Sequence, residues 1–210
     1  PRPLHRSMPH MFLTLALALA GSLLLPLAAR AQVTPVINLD RPDYVAGQTV
    51  VIDGNGFGPW EWVLVRVAHP DVTNEPGARH EPFWSRADAR GNLRVEWPLE
   101  NDRVSRQFTV SASGFSSGVS ATPIPFERIA ILETDRAGYA AGDIARVTGR
   151  GFWPAEMVTI GSYTFQAGGD GRFLSVWTVA AGQENALLRM SAVGAQSGLV
   201  DGTEIGRAHV

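Results

Sequence analysis

No cysteine occurs among the 210 residues. That excludes disulfide staples, thiol chemistry and cysteine-ligated metal centres, and with them the immunoglobulin domains that carry a bridge between two core strands. Lysine is missing too. All 18 basic residues are arginine, a usage we attribute to GC-rich coding rather than to a chemical need. The net charge is only −2 and no basic stripe exists, so the phosphate-neutralising surface that nucleic acid requires is lacking and no nucleic-acid partner is expected. Helical periodicity is absent after the N-terminal apolar stretch. What the chain does have is 45% hydrophobic residues together with 22 glycines and 14 prolines. Such a composition favours many short strands joined by turns.

Both ends read as something other than folded domain. His5 and Arg6 form a weakly basic lead, Phe12 to Leu27 an apolar run, and Ala29-Arg30-Ala31 a small-x-small cleavage site. Gly21 and Pro26 interrupt the run, which is short for a bilayer span of about 20 residues. The expectation is a secretory signal over residues 1–31, cleaved before Gln32, with translation starting at Met8 or Met11 and residues 1–7 upstream of it. An uncleaved anchor is the alternative. At the other end, residues 204–210 (EIGRAHV) back-translate to a string that resembles a short-read sequencing adapter. The genuine chain is therefore expected to run on differently after Thr203, with further domains or an anchor beyond. Leaving out Arg2, Arg6, Arg30, Arg207 and Glu204 shifts the net charge from −2 to −5, a mildly acidic surface suited to a secreted module.

An internal repeat organises the remainder. At an offset of 95, Asp40-Arg41 matches Asp135-Arg136, Tyr44 matches Tyr139, and Gly47 matches Gly142. Gly54, Gly56-Phe57, Pro59, Glu61 and Val63 then meet Gly149, Gly151-Phe152, Pro154, Glu156 and Val158. Farther along the offset falls to 80: Ala87, Gly91 and Trp97 align with Ala167, Gly171 and Trp177, and Ser117-Gly118 with Ser197-Gly198. The first copy thus carries 15 extra residues near AHPDVTNEPGARHEP, expected to form a surface loop. Period-2 alternation places Val63, Val65 and Val67 on one face, and Leu93, Val95 and Trp97 on another, with Phe173 and Trp177 repeating the latter. Ala89 to Asn92 and Gly168 to Gly171 read as hairpin loops. Trp97, Trp177, Phe57 and Phe152 are expected in the core, and Gly56 and Gly151 in structural turns.

The blocks DYVAGQTVVIDGNGFGPWEWV and GYAAGDIARVTGRGFWPAEMV, followed by ADARGNLRVEW and FTVSASGFSSGVSATPIPF, resemble the two halves of a bacterial Ig-like tandem repeat. An IPT/TIG-type module, with its glycine-phenylalanine turn, is the second resemblance. Either implies an all-β chain of two immunoglobulin-like β-sandwiches, here residues 35–127 and 128–203, joined by a short linker near PIPFER. The resemblance also implies a place in large secreted or surface proteins. Its motifs are turn and core residues and imply no catalytic constellation.

Several residues invite a chemical role. Gly54, Gly56 and Gly58 superficially suggest a phosphate cradle, but a strand rather than a helix N-terminus follows them. Trp60 and Trp153 flank a turn and are expected to seal one end of a sandwich. Trp62, on an outward register beside Leu64, and Trp84, after the insertion, are left as an exposed pair able to stack on a glycan. His69 and His80 fall in the insertion with Asp71, Glu75 and Glu81, and are expected to be solvated loop residues without a metal. Asp40, Asp43 and Asp135 lack the dense acidic runs that calcium needs. The serines of SASGFSSG recur as SAVGAQSG and read as strand and turn rather than as a nucleophile. No catalytic residue, cofactor or metal is expected. The leading reading is a structural or adhesive segment of an exported protein, with an extracellular protein or polysaccharide as partner. The alternatives are a carbohydrate-binding accessory module and an appendage to an enzyme encoded farther on. Contact with a membrane would come only through the export signal or a later anchor.

Overall fold

The computed structural model describes residues 33–72, 80–181 and 188–205. The signal expected over residues 1–31, Glu75 and residues 206–210 lie outside them. Eight strands build the first module: β1 (Val36–Leu39), β2 (Asp43–Val45), β3 (Thr49–Asn55), β4 (Trp62–Ala68), β5 (Phe83–Arg86), β6 (Leu93–Pro98), β7 (Gln107–Gly114) and β8 (Ile124–Ile129). Seven build the second: β9 (Ile131–Thr134), β10 (Ile144–Arg150), β11 (Met157–Ile160), β12 (Tyr163–Gln166), β13 (Phe173–Thr178), β14 (Leu188–Gly194) and β15 (Val200–Ile205). In the first module the sheet β1-β3-β6 faces the sheet β2-β8-β7-β4-β5; in the second, β9-β10-β13 faces β12-β11-β14-β15. The chain is all-β, two immunoglobulin-like sandwiches in tandem. Among the described residues no helix is long and apolar enough to cross a membrane.

Alternation drives each sandwich, because side chains two apart share a face. Along β6, Leu93, Val95 and Trp97 are buried while Arg94 and Glu96 are exposed. Trp97 pairs with Val50, and Trp177 pairs with Ala145, at the same place in each copy. The first core closes on an aromatic stack, with Phe108 and Phe126 parallel at 4.8 Å and Tyr44 edge-on to Phe126 at 5.4 Å. A separate core in the second module contains Val147, Phe152, Val158 and Phe173. Each of these large side chains contributes roughly 1.5–3 kcal/mol by leaving water.

The matched residues at the start of each copy form one device twice. Tyr44 Oη donates to Asp40 at 2.6 Å, and Tyr139 Oη donates to Asp135 at 2.6 Å. The same carboxylates accept the backbone N–H of Val51 and Arg146. The tyrosine hydroxyl is the main reason that Asp40 sits below its usual carboxylate range, while burial, helped by Asp40, pushes Tyr44 up to about 12.

A second device ties turn to turn. Glu61 accepts the backbone N–H of Gly58 at 2.7 Å and of Ser117 at 2.5 Å, joining the β3–β4 turn to the turn after β7. Glu156, fully buried, does the same for Trp153 N–H at 2.6 Å and Ser197 N–H at 3.0 Å, and also accepts Ser197 Oγ and Gln196 N–H. Burial alone would raise the Glu61 carboxyl, but the N–H donors of Gly58 and Ser117 outweigh it and hold it low. The match of Glu61 with Glu156 and of Ser117 with Ser197 thus records a repeated acceptor for buried donors.

Three expectations are corrected. The turns at 89–92 and 168–171 are not hairpins: β5 and β6 lie in different sheets, as do β12 and β13, so these turns carry the chain across the sandwich. Gly91 and Gly171 are needed there because φ is +79° and +73° and a Cβ would strike the carbonyl oxygen of Phe57 or Phe152. PIPFER is not a linker. All of it after Pro123 lies in β8, with Phe126 and Arg128 buried, and Ala130 is the single residue between the last strand of one module and the first of the next. Finally, Trp60 is 56% exposed rather than sealing an end, and it takes a left-handed φ of 60° that Ala155 repeats at 57°. At the C-terminal side, β15 pairs through Glu204 and Ile205 with Arg189 and Leu188.

Candidate functional site

The joint between the modules is built by the loop after β6. Asn101 Nδ2 donates to the Phe152 carbonyl at 2.9 Å, and Arg103 Nη2 donates to the Pro154 carbonyl. From the other side, Gly151 at φ +88° lets Ile129 and Val45 come close, where a Cβ would meet the Ile129 carbonyl oxygen at 2.6 Å and the Val45 side chain at 2.8 Å. Beneath this contact sits Arg128, the largest fully buried side chain among the described residues. Its Nη1 donates to Asp102 O at 2.9 Å and to Asp102 Oδ1 at 3.2 Å, and its guanidinium lies over the Trp153 ring at 5.8 Å. Burial lowers the Arg128 pKa, with Asp102 pulling back, but a guanidinium stays charged at any relevant pH. The pair is therefore a true ion pair.

Asp102 also gathers two histidines. Burial would raise its carboxyl, yet His69, the Val104 N–H and the Arg128 charge together hold it below the usual value. His69 Nε2 lies 3.4 Å and His80 Nε2 3.3 Å from Asp102 Oδ2. Each ring uses its other nitrogen on the backbone: His69 Nδ1 is 2.8 Å from the Gln107 carbonyl, and His80 Nδ1 is 3.2 Å from the Val67 carbonyl. The rings stand 4.7 Å apart, His69 against Phe108 and His80 near Trp97. The solvated histidines expected from the insertion are thus corrected to buried ones, 2% and 8% exposed. The insertion starts and ends by folding inward onto β4 and β7. Among the described residues, His69, His80 and Asp102 are the cluster whose ligand atoms all fall within 4.8 Å of one another.

On the outer face of the five-stranded sheet lies an apolar concavity lined by Trp62, Trp84 and Phe115. Trp84 stands opposite Leu64 across β4–β5, and Trp62 opposite Arg86. Both indoles are 51% exposed and Phe115 is 72% exposed. Phe115 is held by its N–H to the Trp62 carbonyl at 2.8 Å and meets Trp84 edge-on at 5.5 Å. The Arg86 guanidinium lies 5.9 Å from the Trp62 ring centre. Sequence reasoning singled out Trp62 and Trp84 but missed Phe115, which follows a buried strand and carries no outward period of its own.

The other singled-out residues have structural placements. Phe57 and Phe152 are buried, and Gly56 turns at φ +85°. Trp97 is buried, whereas Trp177 is half-buried, with Tyr163 edge-on at 4.8 Å. Oδ1 of Asp40 and of Asp135 is taken up by the tyrosine clasps, and Asp71 accepts Ser105 Oγ at 2.9 Å.

Residues 29–127 match the family model of the macroglobulin-like domain, which spans the first module. The sequence has no significant match among curated proteins. Solved structures similar to this chain include the Yersinia pseudotuberculosis adhesin InvE, at 11% identity and a TM-score of 0.37 over 82% of this chain and 58% of that one. A tetra-tandem repeat from the extending region of a large adhesion protein aligns at 16% identity and a TM-score of 0.38, over 84% of this chain and 49% of that one. The alpha-2-macroglobulin of E. coli aligns at 10% identity and a TM-score of 0.35, over 84% of this chain and 15% of that one. The chain spans less than two thirds of the length of each of these structures.

Proposed function

We propose that the chain is a non-catalytic pair of Ig-like modules from an exported bacterial protein, serving as a stiff structural and adhesive segment at or beyond the cell surface. The observation that supports this most is the joint. Ala130 alone separates the last strand of one module from the first of the next, and the Asn101, Arg103 and Arg128 contacts cross it. A segment that holds a distant domain or surface in place needs such a joint, since flexible Gly/Ser linkers transmit little position. Small-angle scattering of the exported chain is expected to fit one arrangement of the two modules. A broad spread of inter-module distances would remove the spacer role.

The Trp62, Trp84 and Phe115 concavity favours a second reading, a carbohydrate-binding accessory module. Flat indole faces stack on the apolar face of a pyranose, and Arg86 beside them can donate to hydroxyls. An aromatic contact contributes on the order of 0.5–1.5 kcal/mol. Trp84→Ala should therefore weaken retention in polysaccharide affinity gels by about tenfold. If the unaltered chain migrates freely through every polysaccharide gel tried, this reading is wrong.

A further inference from the structure

The geometry points to a divalent-metal site, of the zinc class, formed by His69 Nε2, His80 Nε2 and Asp102 Oδ2 inside the first module.

A carbonyl oxygen only accepts, so the Gln107 carbonyl at 2.8 Å and the Val67 carbonyl at 3.2 Å place a ring proton of each histidine on Nδ1. That leaves Nε2 as the nitrogen able to ligate an ion once it carries no proton. Both Nε2 atoms point at the same oxygen, Asp102 Oδ2, and an ionised carboxylate oxygen is itself only an acceptor. Three potential ligand atoms thus converge on one spot, and an ion entering among them would take the place of any Nε2 proton shared with that oxygen. Donation of the second ring N–H to a backbone carbonyl is the arrangement that orients a metal-bound histidine and raises its basicity.

The nitrogen–oxygen distances suit this reading. Zinc bonds of about 2.0–2.2 Å in a tetrahedron put neighbouring ligand atoms roughly 3.3–3.5 Å apart. The two nitrogen–oxygen separations are 3.4 and 3.3 Å, while the nitrogen–nitrogen separation is bounded only by 4.8 Å, so the two imidazoles would close toward each other around the ion. Asp102 is aimed by its other oxygen, which accepts from Arg128 at 3.2 Å and from the Val104 N–H at 3.2 Å. Both histidines are buried and backed by Phe108 and Trp97. Two imidazoles and one carboxylate suit zinc-class ions, whereas calcium demands six to eight oxygens. Three protein ligands leave the fourth position to solvent. The ion would clamp both ends of the insertion to the loop that carries Asn101 and Arg103, so its binding energy would act on the inter-module joint as well.

The exported chain, stripped with a chelator and passed through a desalting column, is to be titrated with Zn2+ and with Co2+. One equivalent of Zn2+ should remain bound after gel filtration and raise the thermal midpoint by at least about 5 °C. Co2+ should give the intense visible bands of a four-coordinate site. His80→Gln and His69→Gln should each lower Zn2+ affinity by about 100-fold or more, while far-ultraviolet circular dichroism of the metal-free forms matches the parent. Should a variant fail to fold, the Co2+ spectrum of the unaltered chain decides alone, through its coordination number and nitrogen ligation. Failure of the unaltered chain to retain Zn2+ overturns the assignment. So does retention that is equal in both folded histidine variants, or a six-coordinate cobalt spectrum.

Discussion

Glu156→Ala is expected to lower the unfolding free energy of the second module by roughly 3 kcal/mol or more. The truncation strips the acceptor from the N–H groups of Trp153, Gln196 and Ser197 and from the Ser197 hydroxyl. Each buried donor left without an acceptor costs about 1–3 kcal/mol, and water entering the vacated space recovers part of that. Because the carboxylate is fully buried, little of its contribution is screened by solvent. Urea unfolding followed by tryptophan fluorescence reads this directly, since Trp153 sits in the turn that Glu156 holds. Glu156→Gln should fall between parent and alanine forms, because one of its two terminal groups is a donor facing donors. A loss below about 1 kcal/mol in the alanine variant would show that the turns are held by something else.

Arg128→Ala has the other large expected effect, a destabilisation of about 3 kcal/mol, at the lower edge of what removing one partner of a buried ion pair costs. The lower edge applies because the Asp102 side chain keeps 20% exposure. The guanidinium also covers Trp153 of the second module, so the substitution should lower the stability of both modules rather than of the first alone. Arg128→Lys should recover only part of the loss, since a point charge cannot serve the Asp102 carbonyl and carboxylate together while lying flat on an indole. Differential scanning calorimetry distinguishes the outcomes: one shared transition in the parent, separating into two in the alanine variant. Unchanged, coincident unfolding would mean the joint is not held by this contact.

How much of this was legible in the chain follows from where each residue sits relative to the repeat. Matched positions carried their structural meaning openly: Tyr44 with Tyr139, Gly56 with Gly151, and Trp97 with Trp177 occupy equivalent places. Alternation also sorted Trp62 to the outside, while Trp84 was singled out only by its place after the insertion. The repeat flagged Glu61 and Glu156 without revealing why, because a buried carboxylate surrounded by backbone donors leaves no trace in hydropathy. His69, His80, Asp102 and Arg128 were misread or passed over because none has a partner in the other copy. Their convergence depends on an insertion folding back onto a loop more than 20 residues farther on, a contact with no period. The glycine turns at 89–92 and 168–171 were identified as turns but assigned the wrong connection, since turn chemistry fixes a reversal of direction and not which sheet receives the next strand.

The glutamate ties have a consequence for the surroundings in which these modules keep their shape. With no cysteine in the chain, a reductant has no disulfide to cleave, and the fold does not depend on the redox state of its surroundings. The sensitivity moves instead to acid. Because the Glu61 carboxyl is held below its ordinary 4.5 in the folded state, its stabilisation is complete at neutral pH and drains away as protons reach it below that value. What a covalent stitch would risk to thiols, an ionic one risks to low pH.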